Sequence, residues 1–461
     1  MNTADPKIQQ SLYARHEKIY PRQAHGRFAR LRVLSILVLL GIFYGTPLLR
    51  WDGHQAVLFD LPARKFYIFG LTLWPQDFVY LAGLLIVAAL SLFFFTALAG
   101  RIWCGYACPQ TVWTEAYIWI ERKIEGTRSQ QMKRDKAAWS WDKFRVKAIK
   151  QTLWLVFSLW TGFTFVGFFT PINELAASFI GFNLGPWETF WIFFYGFATY
   201  GNAGWMREQV CEYMCPYARF QSAMFDNDTL IVAYDDMRGE PRGPRKRSVD
   251  KSAAGLGDCV DCTLCYQVCP TGIDIRDGLQ YECIACSACI DACDEVMDKL
   301  GYDRGLIRYT TENAIQNKPS KILRPRIVIY AIILAIATIT VFYDLSQRVA
   351  LDLDVIRDRN QLYRETNEGL IENVYTLKIL NMDDNPHAFI LSVEGITDLE
   401  LFTDVDNIYV NAGTVSELIV RLRADEANLS AQSASVSFRL QAQDANHLIV
   451  EEEARFLGPR K

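Results

Sequence analysis

Five stretches of the chain are apolar almost without interruption: roughly Val33–Leu49, Phe78–Leu98, Leu153–Phe169, Trp187–Gly201 and Ile327–Tyr343. Apart from Glu188 near the start of the fourth, none holds a Lys, Arg, Asp or Glu. Such runs reach or approach the ~17–25 residues a helix needs to cross a bilayer, so the pattern predicts five transmembrane helices. The fourth is the shortest and is broken by glycines. After the fifth run the period changes from helical to alternating, at Val374–Leu380, His387–Val393, Ser416–Arg423 and Ser435–Ala442. Turn residues separate these segments in "NMDDNP" and "NAGT". Period-two patterning sustained over about a hundred residues predicts an antiparallel β-sandwich of the immunoglobulin type.

Composition agrees: 51% of the 461 residues are hydrophobic and 13% aromatic, rich for a soluble enzyme. A basic segment precedes the first run and no small-residue cleavage site follows it, so it is expected to stay as an anchor rather than act as a signal peptide. Charge then orients the chain. Seven basic residues precede the first run and eleven lie between Gly100 and Thr152, against two between Trp51 and Asp77 and none between Thr170 and Pro186. Positively charged loops stay cytoplasmic, which predicts a cytoplasmic N-terminus and, after five crossings, an exported C-terminal domain. From Asp344 onward that domain holds eleven basic and twenty-one acidic residues and no cysteine.

All twelve cysteines fall on the predicted cytoplasmic side or at its membrane edge, where thiols serve as metal or redox groups more often than as disulfides. Eight of them form "CVDCTLCYQVCP" (Cys259–Pro270) and "CIACSACIDACD" (Cys283–Asp294). Each half is C-x2-C-x2-C-x3-C, the spacing with which bacterial ferredoxins hold two [4Fe–4S] clusters, the fourth cysteine of each run ligating the other cluster. This assigns Cys259, Cys262, Cys265 and Cys293 to one cluster, and Cys283, Cys286, Cys289 and Cys269 to the other. A pair of zinc sites explains the doubled triple-plus-one pattern poorly. Asp294 stands where the pattern has proline.

The other four cysteines form "WCGYACP" and "VCEYMCP", at Cys104 and Cys108 and at Cys211 and Cys215, each pair following an apolar run. If both segments are helical, positions i and i+4 share a face, and two facing pairs would offer four sulfurs to a soft ion such as Cu(I), to zinc or to another iron–sulfur cluster. Arg101, Arg207 and Arg219 are expected to favour the thiolates. Small hydrophobic packing at helix ends remains the alternative. None of the five histidines lies in an apolar run, which leaves no bis-histidine haem there, and no nucleotide-binding or hydrolase motif is present. "TVWTEAYIWIERKIEG" (Thr111–Gly126) reads as an interfacial amphipathic helix, and Arg128–Lys150 as a solvated basic face drawn to anionic lipid.

The expected organisation is a basic N-terminus (1–32), a four-helix membrane region with both CxxxCP motifs (33–225), a basic linker (226–257), an α+β ferredoxin domain (258–326), a fifth membrane helix (327–343) and the β-sandwich (344–461). In this order, and in the strings "RIWCGYACPQTVW", "CPYARFQSAM" and "RDRNQLYRETNEGLIENVYTLKILN", the chain resembles the cytochrome c oxidase accessory proteins CcoG, FixG and RdxA. The resemblance implies a multi-pass protein of the bacterial inner membrane with two [4Fe–4S] clusters. It implies a cupric reductase that converts Cu(II) to Cu(I) for cbb3-type oxidase assembly, with Cys104, Cys108, Cys211 and Cys215 as the catalytic copper site. Expected partners are membrane lipid, oxidase subunits, copper-delivery factors, a cytoplasmic electron donor and a second copy of the chain, without nucleic acid. Two other readings stay open: a quinol-linked polyferredoxin conduit, and a non-redox assembly scaffold that docks through the acidic sandwich.

Overall fold

The computed structural model describes residues 18–51, 53–245, 255–383, 385–405, 407–429 and 431–459, without the side chains of Arg219 and Ser222. The basic residues Lys7 and Arg15 and the linker stretch 246–254 therefore lie outside the described residues. The chain forms two compact units, Met1–Thr338 and Ile339–Lys461.

Among the described residues, three helices are long and apolar enough to cross a membrane: Arg27–Leu48, Pro75–Ala99 and Pro325–Ser346. Large apolar side chains such as Leu37, Leu84, Ile86 and Ile336 point outward from them, as a lipid-facing helix requires. The other two apolar runs also fold as helices, Trp141–Val166 and Pro186–Thr199, the second running on through a π-helical turn, Tyr200–Met206. These two cross at glycines: a Cβ at Gly162 would lie 2.2 Å from the Ile192 carbonyl oxygen, so only a bare backbone allows the approach. One end of the pair meets the small antiparallel sheet Val57–Asp60, Lys65–Ile68 and Leu71–Leu73 that joins the first two spans. There Phe59 N–H donates to the Phe168 carbonyl (2.7 Å) and Gln55 to that of Gly167 (2.7 Å).

The helix Pro109–Glu125 departs from the sequence reading. It is not laid on a surface but packed inside, with Tyr117 fully buried against Trp154 and Ala203. Its Glu121 and Glu125 are buried as well, which is possible because they face cations: Glu121 meets Arg207 (2.8 Å) and Lys150 (3.1 Å), and Glu125 meets Lys150 (2.8 Å) and Lys147 (2.9 Å). Part of the basic run read as a solvated face is thus the counter-charge of a buried acidic ridge.

The ferredoxin fold begins earlier than the expected boundary at residue 258. Strand Ile231–Tyr234, inside the segment read as linker, pairs antiparallel with Ile307–Thr310. The first strand and its partner enclose the short helix Leu264–Gln267 and the helix Ala288–Leu300. Membrane helices are pinned to this fold by their ends. Asp291 accepts hydrogen bonds from Phe28 N–H (3.2 Å) and Ala29 N–H (2.6 Å), and Arg324 donates to the carbonyls of Ala97 (2.6 Å) and Asp228 (2.9 Å).

The second unit is a β-sandwich with antiparallel pairing throughout. One sheet orders Glu400–Thr403, Thr414–Ala424, Ile371–Asn381 and Leu351–Arg357, with Arg364–Glu365 at its side; the other orders Ile408–Val410, His387–Glu394, Ser433–Ala442 and Ile449–Leu457. Each of the four alternating segments lies in one of these strands. Their inward residues, among them Tyr375, Leu377, Val420, Phe438 and Leu440, form one core.

Candidate functional site

The two ferredoxin loops repeat one backbone conformation. Asp261 and Thr263 have φ of 52° and 55°, and the matching Ala285 and Ser287 have 53° and 62°. Residues in this left-handed region between helical neighbours turn successive N–H groups inward, a cradle suited to sulfur carrying negative charge. The cysteines sort accordingly. Cys259, Cys262, Cys265 and Cys293 line one small cavity, and Cys269, Cys283, Cys286 and Cys289 line another, with Cys265 between the two. The remaining walls are mostly apolar, including Leu264, Ile275, Ile284, Val296 and Met297. Four thiols around each apolar cavity fit a [4Fe–4S] cluster in donor number and type. Cys262 is exposed, whereas Cys286 is buried. Asp294, the departure from the ferredoxin pattern, accepts a hydrogen bond from Gly305 N–H (3.0 Å) and so ties the helix that carries Cys293 to the loop after it.

The CxxxCP pairs do not sit on single helices as i and i+4. Cys104 lies in the short helix Ile102–Tyr106; the backbone then breaks, and Cys108 stands just before Pro109, the first residue of the next helix. The second pair repeats this, with Cys211 in the π-helical turn Val210–Met214 and Cys215 just before Pro216, which opens Pro216–Met224. The proline of each motif is a helix-starting residue, its missing N–H falling where no intrahelical bond is made. The two segments nevertheless meet. Cys211 is within electrostatic reach of Cys108, Cys104 and Cys215, and Cys104 within reach of Cys108 and Cys215. Among the described residues, no three His, Cys, Asp or Glu side chains are yet drawn together as ligands of one ion.

The expectation of low-pKa thiols does not hold at Cys104, Cys108 and Cys211. Burial pushes Cys104 up to about 11, with Gln221 and Arg101 pulling weakly the other way, and pushes Cys211 up to about 12. Cys108 is also raised by burial, against the N–H groups of Thr111 and Gln110. Arg207 is engaged by Glu121, and the Arg219 side chain is outside the described residues. Desolvation outweighs one nearby guanidinium; in such a site a bound cation, rather than arginine, would displace the protons.

The two cysteine regions touch. A Cβ at Gly105 would lie 2.7 Å from the Ile284 carbonyl oxygen and 2.9 Å from Cys286 N, so the "CGY" backbone rests directly on the second ferredoxin loop. Cys104 packs against the buried cluster that includes Ile284 and Cys286. Arg101, only 5% exposed, clamps the junction: its guanidinium donates to the carbonyls of Tyr281 and Ala218, and its charge acts on both Cys104 and Cys283. Gln221, fully buried, lies 3.4 Å from the Cys104 sulfur. Arg32, at the start of the first span, pairs with Glu115 (2.7 Å) and reaches the Cys286 sulfur. Sequence reasoning gave no site role to Gln221, Arg32 or Asp291; their only signal was a polar residue beside an apolar or cysteine-rich run.

Comparison with known proteins matches three segments. Residues 206–312 match a family described as a 4Fe-4S dicluster domain, residues 81–127 one described as a 4Fe-4S binding domain, and residues 341–459 the Ig-like fold at the C-terminus of FixG. The nitrogen fixation protein FixG of Rhizobium meliloti is 40% identical over 85% of this chain and 82% of its own length. Protein RdxA of Cereibacter sphaeroides is 40% identical over 95% of this chain and 96% of its own. The ferredoxin-type protein NapH of Haemophilus influenzae is 25% identical over 59% of this chain and 87% of its own. A crystal structure of a FixG-related protein from Vibrio parahaemolyticus is 33% identical, covering 24% of this chain and 97% of that one, with a TM-score of 0.22.

Proposed function

Because this chain belongs to the FixG/RdxA family of iron–sulfur electron-transfer proteins, we propose that its specific task is to reduce Cu(II) to Cu(I) at the four CxxxCP thiols, in service of cbb3-type oxidase assembly. The observation that carries this reading is the direct contact of the Cys104–Gly105 backbone with the loop holding Cys283 and Cys286. In the proposed site the eight ferredoxin cysteines hold two [4Fe–4S] clusters, which supply one-electron transfer when bound.

This chain's own residues do the rest. Arg101 and Gly105 hold the two cysteine regions together, and the apolar surroundings of Cys104 keep bulk water from the route between them. Cu(II) takes one electron to become Cu(I), so one electron delivered reduces one ion. Thiolate ligands favour Cu(I), whereas Cu(II) prefers nitrogen and oxygen ligands. The same four sulfurs would therefore favour reduction and retain the product for transfer. The five-crossing topology belongs to the same proposal: Trp141–Val166 and Pro186–Thr199 run between the small sheet joining the first two spans and the ferredoxin side, as crossing helices would. The N-terminus and ferredoxin fold are then cytoplasmic and the sandwich exported, in a bacterial inner membrane.

A second reading, that the CxxxCP thiols hold a third cluster, is favoured by the match of residues 81–127, which include Cys104 and Cys108, to a 4Fe-4S binding domain. Replacing Cys104, Cys108, Cys211 and Cys215 together by alanine separates the two. Under the copper reading, the anaerobically purified variant keeps about eight irons, as two [4Fe–4S] clusters require, but, once pre-reduced and freed of excess dithionite, it no longer reduces added Cu(II). Loss of about four irons relative to the wild type establishes the third cluster instead, and unchanged metal and activity defeat both.

A further inference from the structure

The two ferredoxin runs repeat their cysteines but not the residues around them. Two positions after Cys269, the fourth cysteine of the first run, Thr271 is buried and its hydroxyl lies 3.3 Å from the Cys269 sulfur. Two positions after Cys293, the fourth cysteine of the second, Glu295 is exposed and pairs with Lys299. The phenol of Tyr234, which lines the same cavity as Cys259, donates instead to Glu240 (3.1 Å).

Chemistry fixes the direction of the Thr271 bond. A free thiol can donate or accept, but a cysteine that ligates metal is a thiolate with no proton to give, so the hydroxyl must be the donor. A donor aimed at a ligand sulfur stabilises the more negative, reduced state, and such bonds are among the features that set cluster potentials. Charge points the same way. Arg101, held by carbonyls, acts on Cys283 of the same set as Cys269. In the other set Asp294 acts on Cys293, and the guanidinium near Cys265, that of Arg276, is shared by Asp274 and Asp261.

Thr271 also stands between the two thiol systems. It lines the cavity of Cys269, Cys283, Cys286 and Cys289 and, with Pro270 and Ile284, a second cavity that Cys211 of the CxxxCP site shares. In the set farther from those thiols, Cys262 is exposed.

We propose that the Thr271 hydroxyl makes the two ferredoxin cysteine sets unequal: by donating to the Cys269 sulfur it holds the cluster beside the CxxxCP thiols at the higher potential. An electron that enters at the exposed Cys262 side is then drawn toward the Cys269 side, the first losing one electron and the second gaining it, with no bond made or broken. Thr271 acts through Cys269 and is a positioning residue. Its role rests on the electron-relay reading above and adds a direction to that relay.

The test is a redox titration of the full-length, anaerobically purified protein, followed by electron paramagnetic resonance. The wild type is expected to show two one-electron potentials for the ferredoxin cysteines. Thr271→Val, which keeps the side-chain shape but removes the hydroxyl, should move the higher one to a more negative value, leave the lower one in place and retain about eight irons. Thr271→Ser should restore the higher potential, and Thr271→Ala makes the same comparison should valine displace iron. A single unresolved wave in the wild type, an unmoved higher potential, a shift of the lower one or no recovery with serine overturns the proposal. So does loss of iron from both hydroxyl-free variants, since the hydroxyl would then be a structural requirement. Wild-type protein with fewer than about eight irons defeats the relay reading itself, whereas a full iron complement with unmoved potentials defeats the role of Thr271 alone.

Discussion

Gly105 carries the smallest side chain at the junction and one of its tightest contacts. Its neighbours are backbone atoms of Ile284 and Cys286, which cannot rotate away as a side-chain tip would. Gly105→Ala should therefore force the CxxxCP segment off the ferredoxin loop, costing roughly 1–3 kcal/mol as overpacking does. Iron analysis and thermal unfolding would show reduced stability, and Cu(II) reduction should slow more than cluster content falls. Arg32 acts on the same loop through charge. A cation beside the Cys286 sulfur favours the more negative, reduced state of whatever that sulfur ligates, so Arg32→Gln should lower the potential of one cluster by on the order of tens of mV and leave the other in place. A redox titration followed by electron paramagnetic resonance resolves the two. Neither effect could be read from the sequence. Cysteine spacing reveals which thiols belong together, but a glycine's use depends on what lies across from it, and Arg32 is 254 positions from Cys286 in a chain whose folding alone makes them neighbours.

The elements show the same division between local and non-local information. The apolar runs and the alternating strands were legible because periodicity is local. Strand Ile231–Tyr234 was not, since a four-residue strand becomes evident only through its partner Ile307–Thr310. The helix Pro109–Glu125 was misplaced for a related reason: its carboxylates look like a solvent face until Lys150 and Arg207 are seen against them. Burial alone would raise the Glu121 pKa, but Arg207, Lys18 and Lys150 outweigh it and hold the carboxyl at about 2. A depressed pKa contributes stability that is present above the unfolded value, near 4.5, and is lost only as pH falls through about 2. The network should thus be insensitive to pH in the neutral range, whereas Glu121→Gln, which leaves two buried cations short of charge, should cost about 3–5 kcal/mol in thermal or denaturant unfolding. The sandwich holds the opposite case. Burial disfavours the charged imidazole of His387, yet Asp444 on Nδ1 (2.9 Å) and Asp383 on Nε2 (3.0 Å) prevail and raise its pKa. A raised pKa gives stability that is complete below the unfolded value of 6.5 and is lost as pH rises through the folded one. Unfolding of the sandwich in the intact protein, followed by thermal scan, should shift to lower temperature as pH increases past neutrality, and His387→Gln should abolish that shift.

At the scale of the whole molecule, parity separates what Arg27–Leu48, Pro75–Ala99 and Pro325–Ser346 decide from what Trp141–Val166 and Pro186–Thr199 decide. The start of Arg27–Leu48, the end of Pro75–Ala99 and the start of Pro325–Ser346 all attach to the ferredoxin fold through Asp291 and Arg324. Under the proposed topology, three crossings and five alike would put residues 344–461 on the side opposite the N-terminus, so labelling them would not count the helices. The loop between Ile180 and Pro186 can. If Trp141–Val166 and Pro186–Thr199 cross, Asn183, which is exposed, lies on the sandwich side; if they do not, it lies with the ferredoxin fold. The close crossing at Gly162 and the bonds from Gln55 and Phe59 to Gly167 and Phe168 require the far end of Trp141–Val166 to reach the sheet that joins the first two spans. In intact spheroplasts, a membrane-impermeant maleimide should therefore modify Asn183→Cys as readily as Ser392→Cys in the sandwich, while Lys318→Cys beside the ferredoxin fold reacts only after lysis. Protection of Asn183→Cys until lysis, with Ser392→Cys labelled, would reduce the crossings to three and turn the aromatic pair of helices into a re-entrant support for the thiol site.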